Sequence, residues 1–155
     1  MTQLFEQILE LLGDSEYDYQ VADDEEVLRL ALEAPEGSWT AYVRVMKNGV
    51  CVVYSKPEFD AAAEHRASTS EFMTRVNFGI LLGNFEMDWT DGEVRFKTAF
   101  DADAGKVPAA IIVNTIDGNL ANMHQYLPAL EGVATGAMTV DEALEACGRT
   151  APPGD

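Results

Sequence analysis

Residues 85–98 constrain the fold of this 155-residue chain more than any other stretch. Apolar residues there alternate with polar ones on both sides of the pair Asp91-Gly92. Two such runs joined by Asp-Gly predict a β-hairpin, because these residues tolerate the backbone angles of a tight turn. The polar face has acidic residues before the turn and basic residues after it, which predicts cross-strand ion pairs. The positions on the apolar face are Phe85, Met87, Trp89, Val94, Phe96 and Thr98.

An apolar helix is predicted immediately before this hairpin, from Ser70 to Leu82, with hydroxyl residues at 68–70 as candidate N-caps. Its apolar residues recur every three or four positions and leave two faces to be covered. Gly79 costs about 1 kcal/mol of helix stability relative to Ala, which predicts a close approach by another backbone or ring. Gly83 is placed to end the helix in the left-handed conformation. The two faces are formed by Phe72, Met73, Val76, Gly79, Ile80 and Leu81.

The segment Arg75–Asp88, RVNFGILLGNFEMD, followed by DGEVRF at 91–96, resembles the central signature of the YbjN-like proteins. These are small bacterial proteins with the type III secretion chaperone-like fold, described as sensory transduction regulators. The resemblance is clearest over residues 72–136. It implies dimerisation and protein binding, and it implies no reaction. The positions that match the motif are Arg75, Asn77, Gly83, Asp91 and Gly92, of which the first two are either polar anchors of helix to sheet or solvated groups.

An antiparallel meander of three or four strands is predicted over residues 17–55, where the period changes to two. Its turns fall at Asp23-Asp24, at Pro35–Gly37 and at Asn48-Gly49. The strand Val50–Tyr54 is apolar on both faces, which predicts cover on both sides or a subunit boundary.

Three further helices complete the predicted fold. They cover residues 2–13, 107–134 and 140–147, the last beginning at a Thr139–Glu142 capping box. Pro128 should kink or divide the long helix, because proline removes a hydrogen bond and clashes with the preceding turn. We predict an α+β fold with an antiparallel sheet of five to six strands and helices at the N-terminus, centre and C-terminus. Residues 1–148 form the expected single domain, with 149–155 as a flexible tail.

The formal net charge of -17 excludes the usual nucleic-acid-binding proteins, which need clusters of Lys and Arg to bind phosphates. Residues 1–37 alone hold 11 acidic residues and one basic residue. This charge favours a basic partner, although an acidic surface can also serve solubility alone. No segment has the composition of a signal peptide or the roughly 20 apolar residues of a membrane span, which predicts a cytoplasmic protein without membrane contact.

Residues that could carry catalysis are few. His65 and His124 stand apart from any metal-ligand pattern, and Cys51 alternates with strand residues as a small buried hydrophobe. Asp101 and Asp103 share only part of a calcium-loop pattern, because the glycine comes early and the final Glu is absent. We therefore expect no enzyme activity, no cofactor and no small-molecule substrate.

These patterns favour a non-enzymatic protein of chaperone or adaptor type that acts as a homodimer on a partner polypeptide. The residues predicted for the dimer or partner interface are Phe72, Val76, Gly79, Ile80, Cys51 and Val53. The alternative is an acidic regulator that mimics nucleic acid and occludes a basic or nucleic-acid-binding protein. A metal-dependent or small-molecule enzyme is the least favoured class, because the carboxylates fall in turns and on wet strand faces.

Overall fold

A six-stranded antiparallel sheet with helices on one side forms the fold, in a computed structural model that describes residues 1–22, 25–103 and 105–148. The predicted α+β class, strand number and helix placement are confirmed. A short 3-10 turn at Ala63–His65 precedes the second helix. The elements in chain order are α1 (Gln3–Gly13), β1 (Tyr19–Val21), β2 (Val27–Ala34), β3 (Gly37–Val45), β4 (Val50–Pro57), α2 (Arg66–Asn77), β5 (Asn84–Met87), β6 (Val94–Asp101), α3 (Ala109–Ala134) and α4 (Val140–Ala146).

The strand order is β1-β2-β3-β4-β6-β5, so the hairpin joins the meander through β6 against β4. Alternate strand residues face the helices, and two adjoining clusters of buried residues form the core. The cluster under α1 and the first half of α3 includes Phe5, Ile8 and Ile112. The cluster under α2, α4 and the rest of α3 includes Phe72 and Tyr126. The opposite face of the sheet has no helix over it among the described residues.

The hairpin forms with Phe85 opposite Phe96 and Glu86 opposite Arg95. The predicted ion pairs are present, because Glu86 accepts hydrogen bonds from Arg95 at 2.8 Å and from Lys97 at 2.9 Å. The prediction was wrong for Trp89, which lies beyond the end of β5 and is 60% exposed. The strand ends early because the carboxylate of Asp88 accepts the backbone N–H of Thr90 and turns the chain.

The predicted central helix was wrong at both ends, because α2 covers Arg66–Asn77 and not Ser70–Leu82. The Thr69 hydroxyl donates to the His65 carbonyl at 2.7 Å inside the helix, so the helix begins earlier than the predicted caps. The helix stops at Asn77 because this side chain is engaged by the hairpin.

The long helix α3 runs through Pro128 without a break, so of the predicted kink or division the division was wrong. Pro128 lies on the exposed side, while Leu127 and Leu130 beside it are buried. Burial of each such leucine contributes about 1.5–3 kcal/mol, which offsets the roughly 3 kcal/mol cost of an interior proline. The predicted turn at Asp23-Asp24 and the predicted tail at 149–155 lie outside the described residues.

Candidate functional site

The most exposed apolar side chains of the described residues, apart from Met1, lie in one loop between α2 and β5. Phe78 is 91% exposed, Leu81 is 98% exposed and Leu82 is 78% exposed. We call residues 78–82 the apolar loop. Exposure of one such side chain is ordinary, but three in one five-residue segment make this loop the candidate binding surface.

Both ends of the apolar loop are fixed to the hairpin. Before the loop, the Asn77 side chain accepts the backbone N–H of Phe85 at 2.7 Å and donates to its carbonyl at 3.0 Å. After the loop, Gly83 has a φ of +85°, and a Cβ there would lie 2.7 Å from the Lys97 carbonyl oxygen. Only glycine fits that contact without a shift of β6. Ile80 packs on the core from inside the loop, so the three exposed side chains are held outward by a fixed frame.

A groove of about 770 Å³ lies between the apolar loop, β6, α3 and the end of α4. None of the described residues that line it carries a charged side chain, although 24% of the chain is Asp, Glu, Lys or Arg. This volume lies in the range of sites that bind small molecules or short peptide segments. The apolar part of the lining comprises Ile80, Leu81, Leu82, Phe100, Ile111 and Tyr126.

The α3 side of the groove carries three primary amides, those of Asn114, Asn122 and Gln125, and we call it the amide wall. Asn122 donates to the Gly118 carbonyl of its own helix at 2.8 Å. Asn114 and Gln125 are exposed, and their side-chain amides make no hydrogen bond within the described part of the chain. The groove therefore combines an apolar side with a row of uncharged donors and acceptors.

Four of the six predicted interface residues lie in the core of the chain itself. Phe72, Val76, Cys51 and Val53 are fully buried against the chain's own elements. Burial also raises the pKa of the Cys51 thiol to about 12, so this cysteine stays protonated at neutral pH. A residue that contacts another molecule must be accessible at the surface. Among the six predicted positions, only the other two are accessible. These two, Gly79 and Ile80, belong to the apolar loop and line the groove.

The motif residues hold helix, loop and hairpin together. Arg75 of α2 forms ion pairs with Glu71 at 3.3 Å and with Asp141 of α4 at 3.1 Å. Asp91 accepts the backbone N–H of Glu93 at 2.9 Å in the hairpin turn. Gly92 next to it has a φ of +81° and packs against the Ala61 backbone. These contacts, with those of Asn77 and Gly83 above, place the motif in the framework of the site.

The face of the sheet that no helix covers differs from the groove because it is charged. We call the outward residues of its strands the open sheet face. It carries five of the ten basic residues of the chain with only three acidic ones, a formal +2, so the other residues carry -19. Arg95 lies 4.1 Å from the Tyr54 ring centroid. Arg29 and Arg44 make no ion pair among the described residues. The charged members are Arg29, Glu33, Arg44, Lys56, Glu86, Arg95, Lys97 and Asp101.

The described residues contain no cluster of three or more His, Cys, Asp or Glu side chains that could hold a metal ion. The His124 Nε2 lies 2.9 Å from a Glu36 carboxylate oxygen, and this hydrogen bond lowers the pKa of Glu36. The His65 ring packs against Gly136. Within residues 1–22, 25–103 and 105–148, none of the helices combines the length and hydrophobicity of a membrane span.

Comparison with known proteins identifies the family. The model of the YbjN family, described as "Putative bacterial sensory transduction regulator", matches residues 5–132. This chain belongs to the YbjN family. A crystal structure of YbjN from E. coli, described as "a putative transcription regulator", matches with a TM-score of 0.50 and 14% sequence identity, over 77% of this chain and 90% of that chain. At that identity the likeness shows the shared fold alone. No curated protein matches the chain.

The resemblance inferred from residues 75–96 is thus confirmed, and the YbjN family description is of a regulator and not of an enzyme. Sequence reasoning missed the apolar loop, because its residues continue the helical period of α2. It also missed the amide wall of the groove. That signal was readable, since Asn114, Gly118, Asn122 and Gln125 fall at helical spacing on one face of α3.

Proposed function

We propose that this YbjN-family protein is a non-enzymatic regulator that binds a partner polypeptide through the apolar loop and the adjoining groove. The observation that carries the proposal is the exposure of Phe78, Leu81 and Leu82 on a loop fixed at both ends. Burying one such side chain against a partner contributes about 1.5–3 kcal/mol. A fixed loop loses little conformational entropy on binding, so most of that gain goes into affinity.

The uncharged lining of the groove supports a polypeptide partner held by apolar contacts and hydrogen bonds. In a chain of net charge -17, a site for a charged ligand would place charged side chains around that ligand. The regulatory description of the YbjN family agrees with such a binding role.

The double variant Leu81→Ser, Leu82→Ser should lose the partner while keeping its fold. Both side chains are exposed, so the melting temperature should stay within about 2 °C of the wild type, since surface substitutions change stability by about 0.5 kcal/mol. Loss of two buried leucines at an interface should weaken binding at least about 100-fold, measured by titration of the partner captured from cell extract. The matched control is Val21→Ser, an exposed apolar residue on the opposite edge of the sheet. Equal capture by the loop variant and the wild type would contradict the proposal.

The alternative function, mimicry of nucleic acid, is favoured by the concentration of negative charge away from the open sheet face. Salt separates the two functions. At 0.5 M NaCl the Debye length falls to about 4 Å, which weakens binding driven by charge. Capture through the apolar loop should survive that salt concentration, whereas capture by charge mimicry should be lost and should be insensitive to the loop variant.

A homodimer is the second part of the proposal, with the open sheet face as its interface. Two copies of net charge -17 repel each other, and this face is where the strands carry no excess of negative charge. Val52 and Tyr54 of β4 point to it, which explains why that strand is apolar on both sides. Six strands about 4.8 Å apart, the longest of about 26 Å, make a face of roughly 650 Å², which is of the same order as the ~800 Å² per partner of a standard interface.

Sedimentation at micromolar concentration should show a species of twice 16.9 kDa. Tyr42→Glu places a negative charge in the middle of the open sheet face and should shift this species to the monomer. Thr74→Glu, on the exposed side of α2, is the control and should leave the dimer intact. A monomeric wild type, or a Tyr42→Glu variant that sediments as a dimer, would refute this interface.

A further inference from the structure

The amide wall of the groove has the length of a short extended peptide. Asn114 and Gln125 lie 11 residues apart on α3, which places them about 16 Å apart along the helix axis. An extended chain advances about 3.3 Å per residue, so that distance corresponds to about five residues. A primary amide offers both a donor and an acceptor, which is what the N–H and C=O groups of an extended backbone require.

Gly118 lies in the middle of this wall, between Asn114 and Asn122. A glycine inside a helix costs stability relative to alanine, so its presence needs a packing or functional reason. The chain's own packing does not supply one, because a Cβ at this position would have no atom within 4 Å. The missing side chain instead leaves the helix backbone open to the groove, where another backbone can approach closely.

We propose that the groove holds its polypeptide as an extended, uncharged segment whose backbone groups pair with the amides of α3. Apolar side chains of the segment pack against the apolar loop and Phe100 of β6 on the other side. This inference rests on the proposed function and adds the conformation and chemistry of the bound segment.

Other occupants fit the groove less well. A helical segment satisfies its own backbone hydrogen bonds, so it has no use for the amide wall. A charged segment would find no counter-charge among the described lining residues. The chain's own residues 149–155 follow the lining residue Gly148, but two of these seven are prolines, which donate no backbone hydrogen bond.

Fluorescence anisotropy with capped eight-residue peptides tests the inference on the full chain. The probe alternates Val or Leu with Ser or Thr. One comparison peptide carries the same side chains with alternate backbone nitrogens methylated, and another is a capped amphipathic helix. The extended probe should bind at least tenfold more tightly than either. Methylation removes backbone N–H groups that would donate to the side-chain amide oxygens of α3.

Gly118→Leu should weaken binding of the extended probe at least tenfold with no fall in melting temperature, since leucine is a better helix former and fills the groove. Gly13→Leu is the matched control, because Gly13 is a helical glycine with equally open surroundings on α1, outside the groove. Its binding should equal that of the wild type.

The inference is overturned if the helical peptide binds best, if methylation or Gly118→Leu has no effect, or if no extended peptide binds. It is also overturned if binding requires a chain truncated after Gly148, because residues 149–155 would then be the occupant. In each of these cases the capture experiment with the Leu81→Ser, Leu82→Ser variant still judges the proposed function separately.

Discussion

Val76→Asp should unfold this chain and not merely separate two folded copies. Val76 is fully buried on the face of α2 that packs beside Phe72 in the core. A carboxylate there has no cationic partner, and an uncompensated buried charge costs about 3–5 kcal/mol before the lost apolar contacts are counted. Since small domains are stable by only about 5–15 kcal/mol, the variant should be unfolded or close to it at 25 °C.

Circular dichroism during heating measures this effect directly. Thr74→Asp is the matched control, because Thr74 is exposed on the same helix and its variant should melt within a few degrees of the wild type. A Val76→Asp protein that melts cooperatively near the wild-type temperature as a monomer would show that Val76 serves an interface and not the core.

Asn119→Asp should cause the second-largest loss of folding stability, after Val76→Asp. Asn119 is fully buried on α3, and its amide donates to the carbonyls of Val53 at 2.9 Å and Phe96 at 3.2 Å and to the Thr98 hydroxyl at 3.2 Å. An ionised carboxylate has no proton to donate and would face these oxygens in the core. The expected loss at pH 7 is about 3–5 kcal/mol.

The pH dependence of this variant follows from burial, which raises the pKa of the introduced carboxyl in the folded state above its unfolded value. The folded state then holds the proton more strongly. The loss of stability relative to the wild type is therefore complete above the folded-state pKa and becomes smaller as the pH falls. Melting at pH 5 should therefore show a smaller difference from the wild type than melting at pH 7. Asn114→Asp, exposed on the same helix, should show little deficit at either pH, and a similar small deficit for Asn119→Asp would contradict the buried anchor.

The elements that were predictable from the sequence are those specified by neighbouring residues. The hairpin follows from alternation around Asp91-Gly92, and α4 begins at the Thr139–Glu142 capping box, which forms with both hydrogen bonds. Each signal lies within a few residues of the structure that it specifies. Strand order was not predictable, since pairing of β6 with β4 depends on contacts between residues more than 40 positions apart.

The apolar loop was not predictable because its cause is tertiary. The period of Phe72 and Val76 continues through Ile80, so local reasoning extends the helix. The helix actually ends where Asn77 pairs with the backbone of Phe85, eight residues later. The prediction that Gly79 allows a close approach on a packed helix face was wrong, because Gly79 lies in the exposed loop after α2.

Photo-crosslinking at the apolar loop tests directly whether this loop contacts a partner polypeptide. A benzophenone amino acid in place of Phe78 puts the reactive group on a side chain that is 91% exposed beside the groove. The same substitution at Trp89, 60% exposed at the tip of the hairpin, is the control. Irradiation in cells should join a partner polypeptide at position 78 and not at position 89, and Gly118→Leu should reduce the yield at least tenfold. Equal crosslinking at both positions, or crosslinking at 78 only to a second copy of this chain, would contradict binding of a partner polypeptide at the apolar loop.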